Sequence, residues 1–264
     1  MPKTVLVPLD GSTAAMRAIA IATVLADRFD ADVRLIAAQV PGGGTRTDWL
    51  DDAVAHTHSQ GARAEAVWSI SVADAVRALA DDANDPIVCM ATHARTRLGH
   101  ALFGSVAEDV VRSLAIPAVL VGPKCRESWP ADGPLLVCLD GSKASDTIIP
   151  IAREWAVALG TKVVLLHVFH PLDVESATRP EAVLGPAAER LAADVDVEMR
   201  VVRGRHPART IIELIEEVEP SLVALATHGR TGLARVALGS IATEVVRRSV
   251  CPALVVRPPT LAED

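Results

Sequence analysis

The chain has 264 residues, half of them apolar, and a formal net charge of −7. That length fits two domains, each long enough to close its own core without disulfide or metal staples, and the acidic balance argues against a nucleic-acid partner, whose phosphates need a basic face. Apolar stretches are interrupted far short of the roughly twenty residues of a membrane helix, as Ile148 to Leu159 is by Arg153 and Glu154, so no membrane partner is expected.

Taken in chain order, the first elements are a run Thr4 to Leu9 ending in Asp10-Gly11-Ser12, then a stripe of Ala18, Ile21, Ala22, Leu25, Ala26 and Phe29 on one helical face. Because Met1-Pro2-Lys3 leads directly into that run, without a signal-peptide core or cleavage site, a cytoplasmic location is expected. Strands are expected near residues 3–9, 32–38, 62–68, 86–91 and 117–121, alternating with helices. Pro41-Gly42-Gly43-Gly44 interrupts the pattern after the second strand. The linker follows at 126–133, within a stretch from Gly122 to Gly133 that carries Pro123 and Pro130. The pattern then begins again, with strands near 134–139, 162–168, 196–202, 221–226 and 252–256 and a helical stripe of Ile148, Ile151, Ala152, Trp155, Ala156 and Leu159. His170 to Pro180 is the matching interruption. Ile87 to Met90 and Leu222 to Leu225, apolar without alternation, suit strands buried on both faces.

The restart is a repeat. Val5 to Ser12 returns as Leu135 to Ser142, Ala91-Thr92-His93-Ala94-Arg95-Thr96 as Ala226-Thr227-His228-Gly229-Arg230-Thr231, Phe103-Gly104-Ser105-Val106 as Leu238-Gly239-Ser240-Ile241, and Ile116 to Val121 as Cys251 to Val256. Four blocks in one order mean gene duplication, and domains at 1–125 and 134–264 follow. Alternating strands and amphipathic helices make each copy an α/β domain with a parallel sheet. Cys89, Cys125, Cys138 and Cys251 form no C-x-x-C pair or ligand spacing, so a metal site is not expected, and Cys89 and Cys138 read as small core residues. His56, His58, His100, His167 and His170 share no spacing and read as structural or exposed.

Chemistry is expected where parallel strands end and connections depart in opposite directions. Strand one of each copy ends at Asp10 or Asp140. Strand four ends at Ala91 or Ala226, and its loop supplies His93, Arg95 and Arg97, or His228, Arg230 and Arg235. That loop leads to Gly104-Ser105 or Gly239-Ser240, opening a helix on which Val106, Val110, Val111 and Leu114, or Ile241, Val245 and Val246, repeat at helical spacing. Such a start offers free N–H groups and a positive dipole end to a phosphate. Each piece alone has a plainer reading, as an N-cap, a turn or a solvated charge. The fixed order of all three, occurring twice, favours a site.

These blocks resemble the universal stress protein family, in its tandem two-domain form, over nearly the whole chain. Its nucleotide-binding members carry G-x-x-G, nine residues, then G-[ST]. Ala226 to Gly229, the nine residues Arg230 to Leu238 and Gly239-Ser240 keep the spacing, as do Ala91 to Ala94, Arg95 to Phe103 and Gly104-Ser105. The resemblance implies two Rossmann-like domains of the adenine nucleotide alpha hydrolase kind, each a five-stranded parallel sheet of order 3-2-1-4-5 flanked by helices. It implies ATP, with or without Mg²⁺, as ligand. Asp10 and Asp140 would sit by the adenosine, Ala38 and Val168 at the adenine, Met90 and Leu225 near base and ribose, and Gly229, Gly239 and Ser240 on the phosphates. Ala226, His228, Arg230 and Ile241 complete the second candidate set, and Ala91, Gly104, Ser105 and Val106 the first. It further implies an intramolecular pseudo-dimer of the two copies, with a homodimer as another form of association.

Copy two lacks only the outer glycine, whereas copy one has Ala94 at the inner position too, and Ala38 offers a base less apolar surface than Val168. ATP is therefore expected in the second domain before the first. No Walker A G-x-x-x-x-G-K-[ST] occurs, and Asp10-Gly11-Ser12-Thr13 is not the S-G-G-x-D-S loop of the superfamily's ATP-using synthetases. The expectation is a stress-response binder with at most slow ATP hydrolysis. The alternative is an interaction scaffold with degenerate pockets, which the alanines at 91, 94 and 226 favour.

Overall fold

The computed structural model describes residues 1–39, 49–57, 62–92, 104–172, 180–227 and 238–258. The chain divides into two units, Met1–Pro123 and Lys124–Asp264. The first runs β1 (Thr4–Leu9), α1 (Thr13–Phe29), β2 (Asp32–Gln39), α2 (Leu50–Ala55), β3 (Arg63–Trp68), α3 (Val72–Asp81), β4 (Pro86–Ala91), α4 (Ser105–Ser113) and β5 (Ala118–Val121). The second runs β6 (Leu135–Cys138), a 3-10 turn (Ser145–Ile148), α5 (Ile149–Leu159), β7 (Val163–Phe169), α6 (Pro180–Leu191), β8 (Val197–Arg203), α7 (Pro207–Val218), β9 (Leu222–Ala226), α8 (Ser240–Arg248) and β10 (Ala253–Val256).

Within the first unit the strand order is β3-β2-β1-β4-β5, and within the second it is β8-β7-β6-β9-β10, with every pairing parallel. Both are the expected 3-2-1-4-5 order. The expected strands lie within one residue of those observed, because each is a short β-branched run closed by a turn residue. The central strands are buried along their length: β1, β9 and most of β4 and β6 lie in the core. Parallel strands covered by helices on both faces need no polar alternation.

Local chemistry fixes the helix ends. Ser12 caps α1 by accepting from the Ala15 N–H at 3.1 Å. Asp30 ends it in the left-handed conformation, its N–H on the Ala26 carbonyl. Pro150 and Pro207 stand in the first turns of α5 and α7, where a missing N–H costs nothing, and Gly160 closes α5 at φ 62°. The predicted α1 stripe is wholly buried, and so are Ile148, Ala152, Trp155, Ala156 and Leu159, whereas Ile151 is only half-buried. At the edge of the second unit, β8 is half-exposed and carries charge: hydrogen bonds from Lys162 and then Arg200 hold the Glu198 carboxyl below its usual range. Charges on a solvated edge discourage further strand pairing.

The stretch from Lys124 to Gly133 packs on the second unit. Cys125 is buried, the Arg126 N–H donates to the Val250 carbonyl at 2.9 Å, and the Trp129 indole N–H donates to the Ser221 carbonyl. Gly133 closes this segment in a tight place, since a Cβ there would lie 2.3 Å from the Glu219 carbonyl oxygen and 2.8 Å from the Ser221 nitrogen. Both neighbours are backbone and cannot rotate away. Gly133→Ala should therefore destabilise the second unit by roughly 1–3 kcal/mol, the usual cost of overpacking. Urea unfolding followed by Trp fluorescence checks this, and an unchanged midpoint would mean that the segment moves aside freely.

Candidate functional site

The site begins with a turn. At the end of β6, Asp140 turns its carboxylate back on its own loop, where Oδ1 accepts from the Ser142 N–H at 3.0 Å and from its hydroxyl at 2.6 Å. Gly141 takes φ 82°, which side-chain-bearing residues avoid. Ser142 Oγ in turn accepts from the Ser145 N–H at 3.1 Å, and so starts the 3-10 turn. The first unit builds the same turn, with the Ser12 N–H on Asp10 Oδ1 at 2.9 Å and Gly11 at φ 73°.

Across the sheet from that turn lies the end of β9. Thr227 donates its N–H to the Val256 carbonyl at 2.9 Å, and its own carbonyl accepts the Gly239 N–H at 2.6 Å. This places Gly239 as the N-cap of α8 with no side-chain cap and no acidic residue in the first turn. The first helical N–H groups therefore lack intrahelical partners, and the dipole's positive end is unopposed. Gly239 has ordinary backbone angles, φ −61° and ψ 160°. Space favours glycine here, because a Cβ would stand 3.1 Å from the Thr227 carbonyl oxygen, a tight contact.

Between these two edges opens a cavity of about 370 Å³, within the range of small-ligand sites, roughly 300–1,000 Å³. From β6 and its turn come Cys138, Leu139, Asp140 and Ser145, and from the end of β7 Leu166, His167, Val168, Phe169 and His170. Pro207 and Ile211 of α7 form another wall, Leu225, Ala226 and Thr227 come from β9, and Gly239, Ser240, Ile241 and Ala242 open α8. In the order β8-β7-β6-β9-β10, the cavity sits at the carboxyl ends where connections part between β6 and β9. That is the ligand position of open α/β sheets.

Two such units, in one order and with the matched blocks at the same corners, decide the family. A model of the universal stress protein family matches residues 1–122 and again 133–257. The chain belongs to the universal stress protein family. Among curated members, the universal stress protein Rv2005c of Mycobacterium tuberculosis is 31% identical over 185 residues, covering 65% of this chain and 61% of that protein. Rv1996 of the same organism is 31% identical over 176 residues, 60% of this chain and 55% of the relative. The chain thus spans about six-tenths of the length of such relatives. The crystal structure of a universal stress protein from Archaeoglobus fulgidus DSM 4304 superposes with a TM-score of 0.71 at 18% identity, covering 96% of this chain and 98% of that one, a likeness of fold.

Seven residues expected at a nucleotide site in the second copy, Asp140, Val168, Leu225, Ala226, Gly239, Ser240 and Ile241, line this one cavity. His228, Gly229 and Arg230 lie outside the described residues. In the first unit Asp10, Ala38, Met90 and Ala91 stand at the ends of β1, β2 and β4, and Gly104, Ser105 and Val106 open α4 through the same clamp, the Gly104 N–H on the Thr92 carbonyl at 2.9 Å. His93, Arg95 and Arg97 lie outside the described residues, as do Pro41 to Gly44.

The two units differ where it matters. Asp10 is exposed, whereas Asp140 is half-buried. Glu108 stands in the first turn of α4, where it opposes an anion, while the first turn of α8 is free of acid. A Cβ on Gly11 would lie 2.9 Å from Trp49 Nε1 and 3.0 Å from its Cε2, so an indole already rests on the Asp10-Gly11-Ser12 turn. Nothing in the spacing of the sequence pointed to Trp49, which lies far from that turn along the chain.

His167, read as structural or exposed, is buried and lines the cavity, and so does the exposed His170; the strand's last residues reach the crevice that its alternation pattern does not reveal. Val106 and Ile241, the first residues of the two helical repeats, are 37% and 44% exposed in the first turns of α4 and α8, and Ile241 joins the cavity wall.

Cys138 in that wall is no nucleophile. Burial and the neighbouring Cys251 thiol push its pKa up from 9.0 to about 12. Cys251 is likewise raised to about 12, by burial first and by Cys125 as well, against an opposing hydrogen bond from Ser249. Because the folded values lie above the unfolded one, their contribution to stability is full below pH 9 and is lost as pH rises toward about 12. Unfolding of the protein across that window should lose stability with pH, and Cys138→Ala should flatten the slope by roughly 1 kcal/mol per pH unit. Parallel slopes in urea titrations of the two proteins would contradict the placement of this thiol.

Proposed function

We propose that this universal stress protein is an adenine-nucleotide binder, taking ATP in the cavity of its second unit as a regulatory ligand with at most slow turnover. The reading rests on one observation: an uncapped, acid-free helix start faces the Asp140 turn across a cavity whose other walls are mostly apolar. The helix start suits phosphates, which Gly239, Ser240 and the N–H of Ile241 would meet. Val168 and Leu225 would flank the base, and Asp140 the ribose. The cavity fits such a ligand in size as well as in polarity. Mg²⁺, where it accompanies ATP, would arrive bound to the triphosphate.

Slow chemistry follows from the residue set. Asp140 is committed to Ser142, and the Cys138 thiol is held protonated, so neither is poised as a base or nucleophile. The first unit supports the other reading, a crevice that serves as scaffold. Trp49 lies on its turn and Glu108 opposes anions at its helix start.

Calorimetry with ATP tests both statements. Asp140→Ala, which removes a polar contact, should weaken binding by about ten- to a hundredfold, the worth of one charge-assisted hydrogen bond at roughly 1.5–3 kcal/mol, and Gly239→Val, which puts side-chain bulk where phosphate would meet the helix start, should weaken it at least as much. Gly104→Val, at the corresponding place in the first unit, should leave the affinity unchanged. Loss of binding in Gly104→Val with retention in Gly239→Val would reverse the assignment, and rapid phosphate release would make the protein an ATPase.

A further inference from the structure

Two walls of the second unit's cavity close on a single glycine. Gly204 follows the last pair of β8, Arg203 with Phe169, and donates its N–H to the Phe169 carbonyl at 2.9 Å. Side chains alternate along a strand, so Val202 and the position of Gly204 share the sheet face of Val168, the partner of Val202. A Cβ on Gly204 would lie 3.0 Å from Val168 Cγ1 and 3.2 Å from Thr210 Cβ, and would run into Thr210 Oγ1. That hydroxyl is itself engaged, donating to the His206 carbonyl at 3.4 Å at the start of α7. Val168 lines the cavity, and so do Pro207 and Ile211 from the same part of α7 as Thr210. The missing side chain therefore lets a strand residue and a helix of the wall approach one point.

The first unit fills the matching place the other way round. Ser69 donates its N–H to the Gln39 carbonyl at 3.1 Å, as Gly204 does to Phe169, and Gln39 pairs with Trp68 as Phe169 pairs with Arg203. Counted from those pairs and from the helix starts Val72 and Pro207, Ser69 answers to Gly204, Ala38 to Val168 and Ala75 to Thr210. Bulk has moved from the residue after the strand to the two residues that face it. Close-packed interiors tolerate such an exchange when the total volume is kept. The three positions thus act as a set, and in the second unit the set gives its bulk to Val168, in the cavity wall.

On the nucleotide reading given above, we propose that Gly204 is a positioning residue of the ligand site, which by having no side chain seats Val168 and the start of α7 where they flank a base. A side chain at 204 displaces Val168 or lifts Pro207 and Ile211. Either movement reshapes the apolar end of the cavity and leaves the α8 start, the end suited to phosphates, as it was. Gly204 touches no ligand and works through its two neighbours.

Calorimetry on the full chain, with ATP and with ADP, tests this. Gly204→Ala should weaken both nucleotides by the same factor, about tenfold, because they share the base and differ only at the phosphate end. The triple variant Gly204→Ala, Val168→Ala, Thr210→Ala, which takes the small facing residues of the first unit, should bind ATP within about threefold of the native protein, since coupled neighbours are not additive. A merely structural role predicts the opposite, because two further truncations would add to the damage. Native affinity in Gly204→Ala, or a folded triple variant as weak as Gly204→Ala, overturns the proposal while leaving the nucleotide reading intact. A loss confined to ATP does so too, by placing the disturbance at the phosphates. Where Gly204→Ala does not fold, the triple variant decides alone: near-native affinity supports the set, whereas a loss of about tenfold or a failure to fold overturns it. Failure of the native protein to bind either nucleotide removes the nucleotide reading, and this proposal with it.

Discussion

The Thr227 peptide is fastened at both ends, its N–H to Val256 and its carbonyl to the Gly239 N–H, and the site depends on that clamp. One strand end thereby holds the next strand's end and the start of the helix that leads to it. The Gly239 N–H is used up in the clamp, and a β-carbon there would press on the Thr227 oxygen. What remains free for a ligand is the first turn of α8 beyond Gly239. The same two bonds recur at Thr92, to Val121 and from Gly104, so duplication copied the clamp along with the fold.

With the frame common to both copies, the differences fall on what stands against it. In the second unit the facing walls are residues of β7 and α7, most of them apolar, and a half-buried Asp140. In the first, an indole and an acidic helix turn occupy comparable ground. Two copies allow such divergence, because the crevice of one can change while that of the other is kept.

The fold was legible because its causes are local and repeated. Unalternated apolar runs such as Leu222 to Leu225 became central strands, the Ala18 to Phe29 stripe became the buried face of α1, and the four matched blocks implied one strand order for both copies, as observed. The second-copy site was legible for the same reason, since Asp140, Ala226 and Gly239-Ser240 are punctuation at strand and helix ends. His167, Phe169, Pro207 and Ile211 were not, because what recruits them is the closing of α7 and the end of β7 around a space, which has no signature in spacing. Trp49 escaped for a related reason. It meets Gly11 across a fold rather than along a helix, and no periodicity connects them.

That indole also divides the molecule optically. Trp49 rests on the ligand-facing turn of the first unit, whereas none of the described residues lining the second unit's cavity is a tryptophan. A molecule that reaches the Asp10 turn comes beside an indole, while one entering the second unit's cavity meets none among the described lining residues. In the second unit Trp129 is held on the Ser221 carbonyl and Trp155 is buried in the core, so of these three indoles Trp49 is the one seated on a strand-end turn.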